Sequence, residues 1–125
     1  MSVIRRGDVR RTETPNAVMT TLASPTLGGA AHSIWRVDMP PGQVGPLHVF
    51  DAEQVWSVLD GGATVQVDGE AVTLASGDTI VLAAQLPRQV FADPRAGLSA
   101  IVAAPGTARA SMADGTDRGV PGWIA

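Results

Sequence analysis

The fold of this chain is decided by two stretches of sequence, GPLHVFDAEQVWSVLDG at residues 45–61 and GDTIVLAAQLPRQVF at residues 77–91. Both are rich in apolar and β-branched residues; glycine bounds the first on both sides and begins the second, which is typical of strands that end in turns. The first stretch predicts a strand from about Leu47 to Leu59, with a break in its middle. The second predicts two short strands, Thr79–Ala83 and Arg88–Ala92, joined by a loop.

Strands of the same kind are predicted on both sides of these stretches. In residues 32–39, Trp35, Val37 and Met39 alternate with polar side chains and should share one face. Turns are expected at Asp60-Gly61-Gly62 and at Asp68-Gly69. About nine short strands and almost no helical periodicity predict an all-β sandwich or barrel. The other predicted strands are Ala17–Ala23, Ala63–Val67, Glu70–Leu74 and Leu98–Ala104.

The amino-acid composition excludes several classes of catalytic chemistry and of binding partner. The 125 residues suffice for one domain with its own core. There is no cysteine, lysine or tyrosine, which removes thiolate nucleophiles, lysine Schiff bases and phenolic acids. A net charge of −3 argues against nucleic-acid binding, and no apolar run is long enough to span a membrane.

The two stretches together resemble the two sequence motifs of the cupin superfamily. In that family the first motif reads His-x-His, a few residues, Glu, and then a strand that ends in glycine. The resemblance covers about Trp35 to Val102 and implies a single-domain double-stranded β-helix, or jelly-roll barrel. The resemblance therefore favours the barrel over the sandwich.

The same resemblance implies that most of the usual metal site has been replaced. His48 stands at the first histidine position, but Phe50 occupies the second and Gln54 occupies the glutamate position. Arg88 replaces the final histidine of the second motif. We therefore expect no cofactor; a divalent metal held through His48 is disfavoured, because a site needs about three protein ligands.

Strand alternation and the family positions together predict the lining of a pocket inside the barrel. His48, Gln54 and Arg88 are its candidate catalytic residues, with His48 as acid or base and the other two stabilising negative charge on oxygen. For His48 and Gln54, a hydrogen bond inside the protein is an equal alternative. The candidate ligand-binding residues, which supply apolar surface, are Phe50, Trp56, Val58 and Val90.

The partner of Arg88 is the main open point. A buried guanidinium without an anionic partner costs several kcal/mol. Asp51 and Glu53 flank the strand break and are expected in a solvent-exposed loop, although a shifted register would turn Glu53 inward. If neither carboxylate pairs with Arg88, an anionic ligand is its natural partner.

Three functions are consistent with this pocket. The first is a metal-independent isomerase, lyase or cyclase acting on a small carbonyl, carboxylate or aromatic metabolite. The second is a non-catalytic ligand-binding cupin, which differs from the first in turnover rather than in pocket composition. The third is a metal-dependent dioxygenase with atypical ligands, which would require the only other imidazole, His32, or a carboxylate to reach His48.

The chain is divided into an N-terminal arm at 1–16, the barrel at 17–105 and a C-terminal tail at 106–125. The arm is basic and is expected to be solvated or to lie on a partner subunit. The tail is expected to be loop-like, with a weak helical pattern at Ala108–Ala113, and to pack on the barrel or on a dimer partner. We expect a homodimer that binds a small molecule, and a cytoplasmic location, since no apolar export segment follows the arginine pairs.

Overall fold

The computed structural model describes all residues from 1 to 125. It contains eleven strands, one short 3-10 helix at Arg6–Asp8 and no α-helix. No helix in it could span a bilayer. The strands are β1 (Arg10–Glu13), β2 (Val18–Ala23), β3 (His32–Met39), β4 (His48–Phe50), β5 (Gln54–Val67), β6 (Glu70–Ala75), β7 (Thr79–Leu82), β8 (Arg88–Ala92), β9 (Leu98–Pro105), β10 (Ala110–Met112) and β11 (Asp117–Gly119).

The long strand β5 belongs to both halves of a curled sheet. Its first half pairs with β9 and β7, and the strand order on that side is β1-β2-β3-β9-β5-β7. Its second half pairs with β6 and β8, and the order there is β6-β5-β8-β4-β10-β11. All of these pairs are antiparallel, and the two halves enclose one apolar core. The predicted all-β jelly-roll barrel is confirmed.

The predicted turn at Asp60-Gly61-Gly62 is wrong, because these residues lie inside β5. The ladder with β9 shifts register between Val58 and Asp60, and the strand crosses there from one half of the sheet to the other. Gly61 has a φ of 70°, and a Cβ on it would collide with the backbone carbonyl of Gly97. Glycine here therefore serves a bend with close backbone approach rather than a reversal of the chain.

Gly61→Ala is expected to destabilise the protein by roughly 3 kcal/mol or more, since it combines an unfavourable left-handed backbone with a backbone collision. Gly69→Ala is the matched control: its φ is 84°, but nothing lies within 4 Å of a new Cβ. That variant should lose only about 1–2 kcal/mol. Urea unfolding of both variants measures the difference, and equal losses would show that the close approach to Gly97 is not limiting.

The core follows the strand alternation predicted from the sequence. Trp35, Val37 and Met39 of β3 are all buried, whereas the intervening Arg36 is exposed. β9 alternates in the same way along its whole length. β3 and β9 are paired neighbours, so their buried residues form one continuous apolar face toward the core, and the residues that alternate with them lie on the outer surface.

Both chain ends are built into the sheet. β1, which lies in the predicted arm, pairs with β2, and the Arg10 guanidinium donates to the Ala125 carbonyl oxygen at 2.8 Å. The expected loop-like tail, with its weak helical pattern at Ala108–Ala113, is wrong: Ala110–Met112 forms β10, which pairs with β4, and Asp117–Gly119 forms β11. The tail packs on the barrel of its own chain, where Ile124 is fully buried and the Thr21 hydroxyl donates to the Trp123 carbonyl at 2.7 Å. Hydrogen bonding to a free sheet edge explains why these residues form strands rather than a helix.

Candidate functional site

A cavity of about 650 Å³ lies between the two halves of the sheet. This is within the usual range for small-molecule sites, which is roughly 300–1,000 Å³. Its walls come from β2, β3, β4, β5, β8, β10 and β11, from the turn at 14–17 and from the loops that contain residues 45–46 and 121–123. Its larger apolar side chains are Met19, Trp35, Val37, Met39, Phe50, Trp56, Val90, Met112 and Trp123.

The structure brings together nearly all of the residues predicted for the pocket. The predicted residues in its wall are His48, Phe50, Gln54, Trp56, Arg88 and Val90. Val58 is the exception: it is buried in the core but does not line the cavity. It shares the inward face of β5 with Trp56, yet it lies next to the register shift, beyond the end of the cavity. Alternation predicted its face correctly but not how far the cavity extends.

Arg88 is the most constrained polar group in this wall. It is 1% exposed, and its guanidinium donates to the Leu86 carbonyl at 2.8 Å and to the Ala83 carbonyl at 2.9 Å. The remaining nitrogen, Nη1, is buried without a hydrogen-bond partner. Burial lowers the pKa of Arg88 below its usual range. A guanidinium nevertheless stays charged at neutral pH, so an unpaired cation is held inside the barrel.

Strand β8 places Arg88 beside His48 and Phe50. Arg88 is the register partner of His48 on β4, and its side chain shares the buried face of β8 with Val90. The guanidinium carbon lies 5.6 Å from the centroid of the Phe50 ring, which also meets the His48 ring edge-on at 5.1 Å. Phe50 therefore packs between an imidazole and a cation, and its ring face partly compensates the Arg88 charge.

Gln54 presents a second unpaired donor in the same wall. Its Oε1 accepts a hydrogen bond from the Trp56 indole at 3.1 Å, and it makes none with His48 or Arg88. Its amide nitrogen Nε2 is buried without a partner. Since each unmade buried hydrogen bond costs about 1–3 kcal/mol, Arg88 and Gln54 together favour the entry of an oxygen acceptor.

The geometry of His48 defines which ring nitrogen is free. Nδ1 lies 2.7 Å from the Pro46 carbonyl oxygen, which can only accept, so Nδ1 carries a proton. In the neutral ring the lone pair is therefore on Nε2, and no protein group bonds to that atom. Burial lowers the pKa of His48, the bond to Pro46 opposes this, and the Arg88 charge lowers the pKa further. His48 is consequently neutral at pH 7, with a basic nitrogen available.

No carboxylate faces these groups. Asp51 is exposed and its Oδ1 accepts the Arg109 backbone N–H at 2.8 Å, which anchors the tail. Glu53 is exposed as well, so the register that would turn it inward does not occur. Neither residue lines the cavity, and Arg88 forms no ion pair. The cavity wall contains two arginines, Arg88 and Arg118, and no acidic residue.

The donor set does not fit a metal ion. No group of three or more histidine, cysteine, aspartate or glutamate side chains is close enough to hold one. Of the four positions that correspond to the usual ligands, only His48 provides a good donor. The other imidazole, His32, is exposed at the start of β3 and does not line the cavity.

Several wall residues were not predicted as site residues. The turn at 14–17 contributes one side of the opening, and the tail contributes Ser111, Arg118 and Pro121. Trp35 and Trp123 also line the cavity. The tail was expected to pack on the barrel or on a dimer partner, but nothing in the local sequence showed that it lines the cavity.

The family of the chain follows from this fold and these motifs. A family model described as the cupin domain matches residues 35–102, more than half of the chain. The protein belongs to the cupin domain family. A search of curated protein sequences finds no match.

Solved structures agree on the fold. KdgF from Halomonas sp. superposes with a TM-score of 0.69 at 19% identity, covering 84% of this chain and 94% of that one. The polyketide cyclase RemF from Streptomyces resistomycificus gives a TM-score of 0.71 at 20% identity, covering 84% of this chain and 79% of its own. Salicylate 1,2-dioxygenase from Pseudoaminobacter salicylatoxidans gives a TM-score of 0.70 at 18% sequence identity, covering 83% of this chain and 31% of that one. At these identities the similarity establishes the fold alone.

Proposed function

We propose that this cupin binds a small acidic molecule without a metal ion and uses His48 to move protons on it. The observation that carries the proposal is the cavity wall itself. It holds a buried cation with a free donor, a second free donor on Gln54, a neutral imidazole with a free nitrogen, and no carboxylate. Each of these features is complementary to a ligand with an anionic or enolic oxygen.

Charge supports an anion in particular. The protein as a whole has a net charge of −3, yet its cavity is lined by arginines and by no acidic side chain. Burying Arg88 without a counter-charge is unfavourable by several kcal/mol, and a carboxylate or enolate in the cavity would offset that cost. A guanidinium fork is well suited to planar oxygen pairs of this kind.

The chemistry that fits is proton transfer next to a carbonyl group. Nε2 of His48 would remove a proton from the carbon next to the carbonyl; the electron pair of the broken C–H bond would form a C=C bond as the carbonyl π pair moves onto oxygen. Arg88 and Gln54 would stabilise the resulting enolate by hydrogen bonds that strengthen as the charge develops. Return of the proton from His48 to the enolate oxygen completes a keto–enol tautomerisation, an isomerisation with no change in composition.

Two alternatives use the same fold. A non-catalytic ligand-binding cupin would have the same wall and no turnover. A dioxygenase would need a metal, and one imidazole without carboxylate or further histidine ligands makes that reading the weakest. Among the neighbours in structure are a cyclase and a dioxygenase, so the fold does not decide between them.

Solvent exchange tests the catalytic proposal. We expect the protein to accelerate deuterium incorporation next to the carbonyl of 2-oxobutyrate, levulinate or phenylpyruvate in D₂O, followed by proton NMR. His48→Gln should lower the catalysed rate by roughly 10²–10⁴-fold. Because burial lowers the pKa of His48, the rate should stay level down to its ordinary value near 6.5 and decrease only at lower pH, as the base becomes protonated.

The control is His32→Gln, which removes the exposed imidazole and should leave exchange unchanged. An equal rate in wild type and His48→Gln would contradict a role for His48. Binding of these acids without any exchange would favour the non-catalytic alternative.

Homodimer formation stays a prediction, and the outer surface supports it. Ile34, Ala103, Val55 and Val81 are register neighbours on four adjacent strands and form an apolar row outside the barrel. Ile34 and Val81 are exposed in the single chain. A second copy packing on this row would bury it.

A further inference from the structure

The opening of the cavity carries its own cation. Arg118, on β11, is exposed and lines the cavity, and it forms no ion pair. Hydrogen bonds from Thr116, whose backbone N–H donates to the Asp114 carboxylate at 2.9 Å, lower the pKa of Asp114; the Arg118 charge contributes less, and the two side chains are beyond ion-pair distance. The Arg118 guanidinium is therefore available to a ligand.

Two half-buried polar side chains accompany Arg118 in the wall. Asn16, from the turn before β2, and Ser111, from β10, both line the cavity, and neither side chain makes a hydrogen bond within the protein. The two residues come from opposite ends of the chain. A hydroxyl, an amide and a guanidinium thus provide donors at the outer part of the cavity.

The inner end of the cavity, at Arg88 and Gln54, differs from the opening in that its polar side chains are buried. Arg88 and Gln54 are 1% and 2% exposed, whereas Arg118 is open to solvent. The rest of the wall is mainly apolar and includes all three tryptophans of the chain. The cavity is accordingly polar and cationic at its inner end, apolar along its wall, and polar and cationic again at its opening.

We infer that the ligand carries an acidic group at each end of an apolar or aromatic body, and that Arg118 recognises the outer one. This rests on the proposed function, in which Arg88 and Gln54 take the inner acid. A dianion would match the two arginines of a wall that supplies no counter-charge. Arg118 is then a specificity residue, which selects two-ended acids over acids of equal size with one charge.

The expected contribution of Arg118 is modest, because its charge remains hydrated. Exposed ion pairs are weak, and a charge-assisted hydrogen bond at a cavity mouth is somewhat stronger. We expect a preference of roughly 3- to 10-fold for the doubly charged ligand, on top of a larger common contribution from Arg88.

Terephthalate and monomethyl terephthalate test this inference, since they share one aromatic body and differ in one negative charge at pH 7.5. Quenching of tryptophan fluorescence can follow their binding, because every tryptophan of the chain lines the cavity and no tyrosine interferes. Titrations at constant ionic strength would compare wild type, Arg118→Gln and Arg95→Gln. Arg95 is an exposed arginine that does not line the cavity, so its variant controls for loss of surface charge.

The inference predicts that wild type and Arg95→Gln bind terephthalate roughly 3- to 10-fold more tightly than its monoester, and that Arg118→Gln binds both about equally. An unchanged ratio in Arg118→Gln, or no preference in wild type, would overturn the inference and leave the acid site at Arg88 standing. Failure of both probes to bind wild type at about 10 mM would overturn the inference and count against the proposed function as well.

Discussion

Arg88→Met is expected to weaken the binding of small aromatic acids such as benzoate by roughly 30-fold to several thousand-fold, which corresponds to about 2–5 kcal/mol for one partner of a buried charge pair. The ligand-free protein should be as stable as wild type, or more stable by about 1–2 kcal/mol, because the variant removes an uncompensated buried charge. Methionine is flexible and apolar and can fill the space next to Phe50.

Weaker ligand binding together with unchanged or higher stability distinguishes a ligand-binding role of Arg88 from a structural one. A side chain that only held the barrel together would lower stability when replaced. Two carbonyls, those of Leu86 and Ala83, lose their donor in the variant. Ala83 is exposed, so water can replace the bond to its carbonyl and limit the cost.

Thermal unfolding with and without about 10 mM benzoate measures both quantities, since a ligand of the folded state raises Tm by mass action. The rise should be present in wild type and in Arg95→Met and absent in Arg88→Met. Ligand-induced stabilisation that persists in Arg88→Met would contradict the anion site. So would a loss of more than about 2 kcal/mol in the unfolding free energy of the ligand-free variant.

The second large effect is a gain of function. The positions of the usual cupin ligands, residues 48, 50, 54 and 88, all line one cavity. The triple variant Phe50→His, Gln54→Glu, Arg88→His adds two imidazoles and a carboxylate to His48 and removes the cation that would repel a metal ion. We expect it to bind one Mn²⁺, Ni²⁺ or Zn²⁺ per chain with at least about 100-fold higher affinity than wild type.

Calorimetric titration with each metal, together with the Tm increase that binding causes, measures this gain. Adding His48→Ala to the triple variant is the control and should abolish it, because His48 is the one ligand retained from wild type. Phe50 is buried in the core, so the triple variant should be less stable than wild type without metal. Absence of metal binding in a folded triple variant would show that the four positions do not converge as their family counterparts do.

Much of the fold could be predicted because the strands carry strong local signals. Strand β3 was predicted with its observed bounds, and the Asp68-Gly69 hairpin was also correct. The error at Asp60-Gly61-Gly62 has a physical origin: Asp-Gly is the usual signal of a hairpin, but here glycine permits a bend against the Gly97 backbone, which lies in the turn before β9. A contact with residues far along the chain leaves no trace in local sequence.

The site residues likewise fall into those that local sequence could predict and those that depend on distant contacts. His48, Gln54 and Arg88 could be placed in the cavity wall because the motif positions and strand alternation agree. Arg118 and Asn16 could not, because they reach the opening only through the pairing of β10 with β4 and the turn before β2. The outward direction of Asp51 and Glu53 depends on how the strand break folds, which is why the partner of Arg88 stayed open until the structure placed both acids outside.

Elemental analysis of protein purified without an affinity tag or chelator, with His48→Ala as control, tests the central proposal most directly. If the acid site is independent of metal, we expect far less than one equivalent of any transition metal, and no difference between wild type and His48→Ala. Stoichiometric iron, manganese, zinc, nickel or copper that disappears in His48→Ala would contradict it and would make oxygenase chemistry the function to pursue.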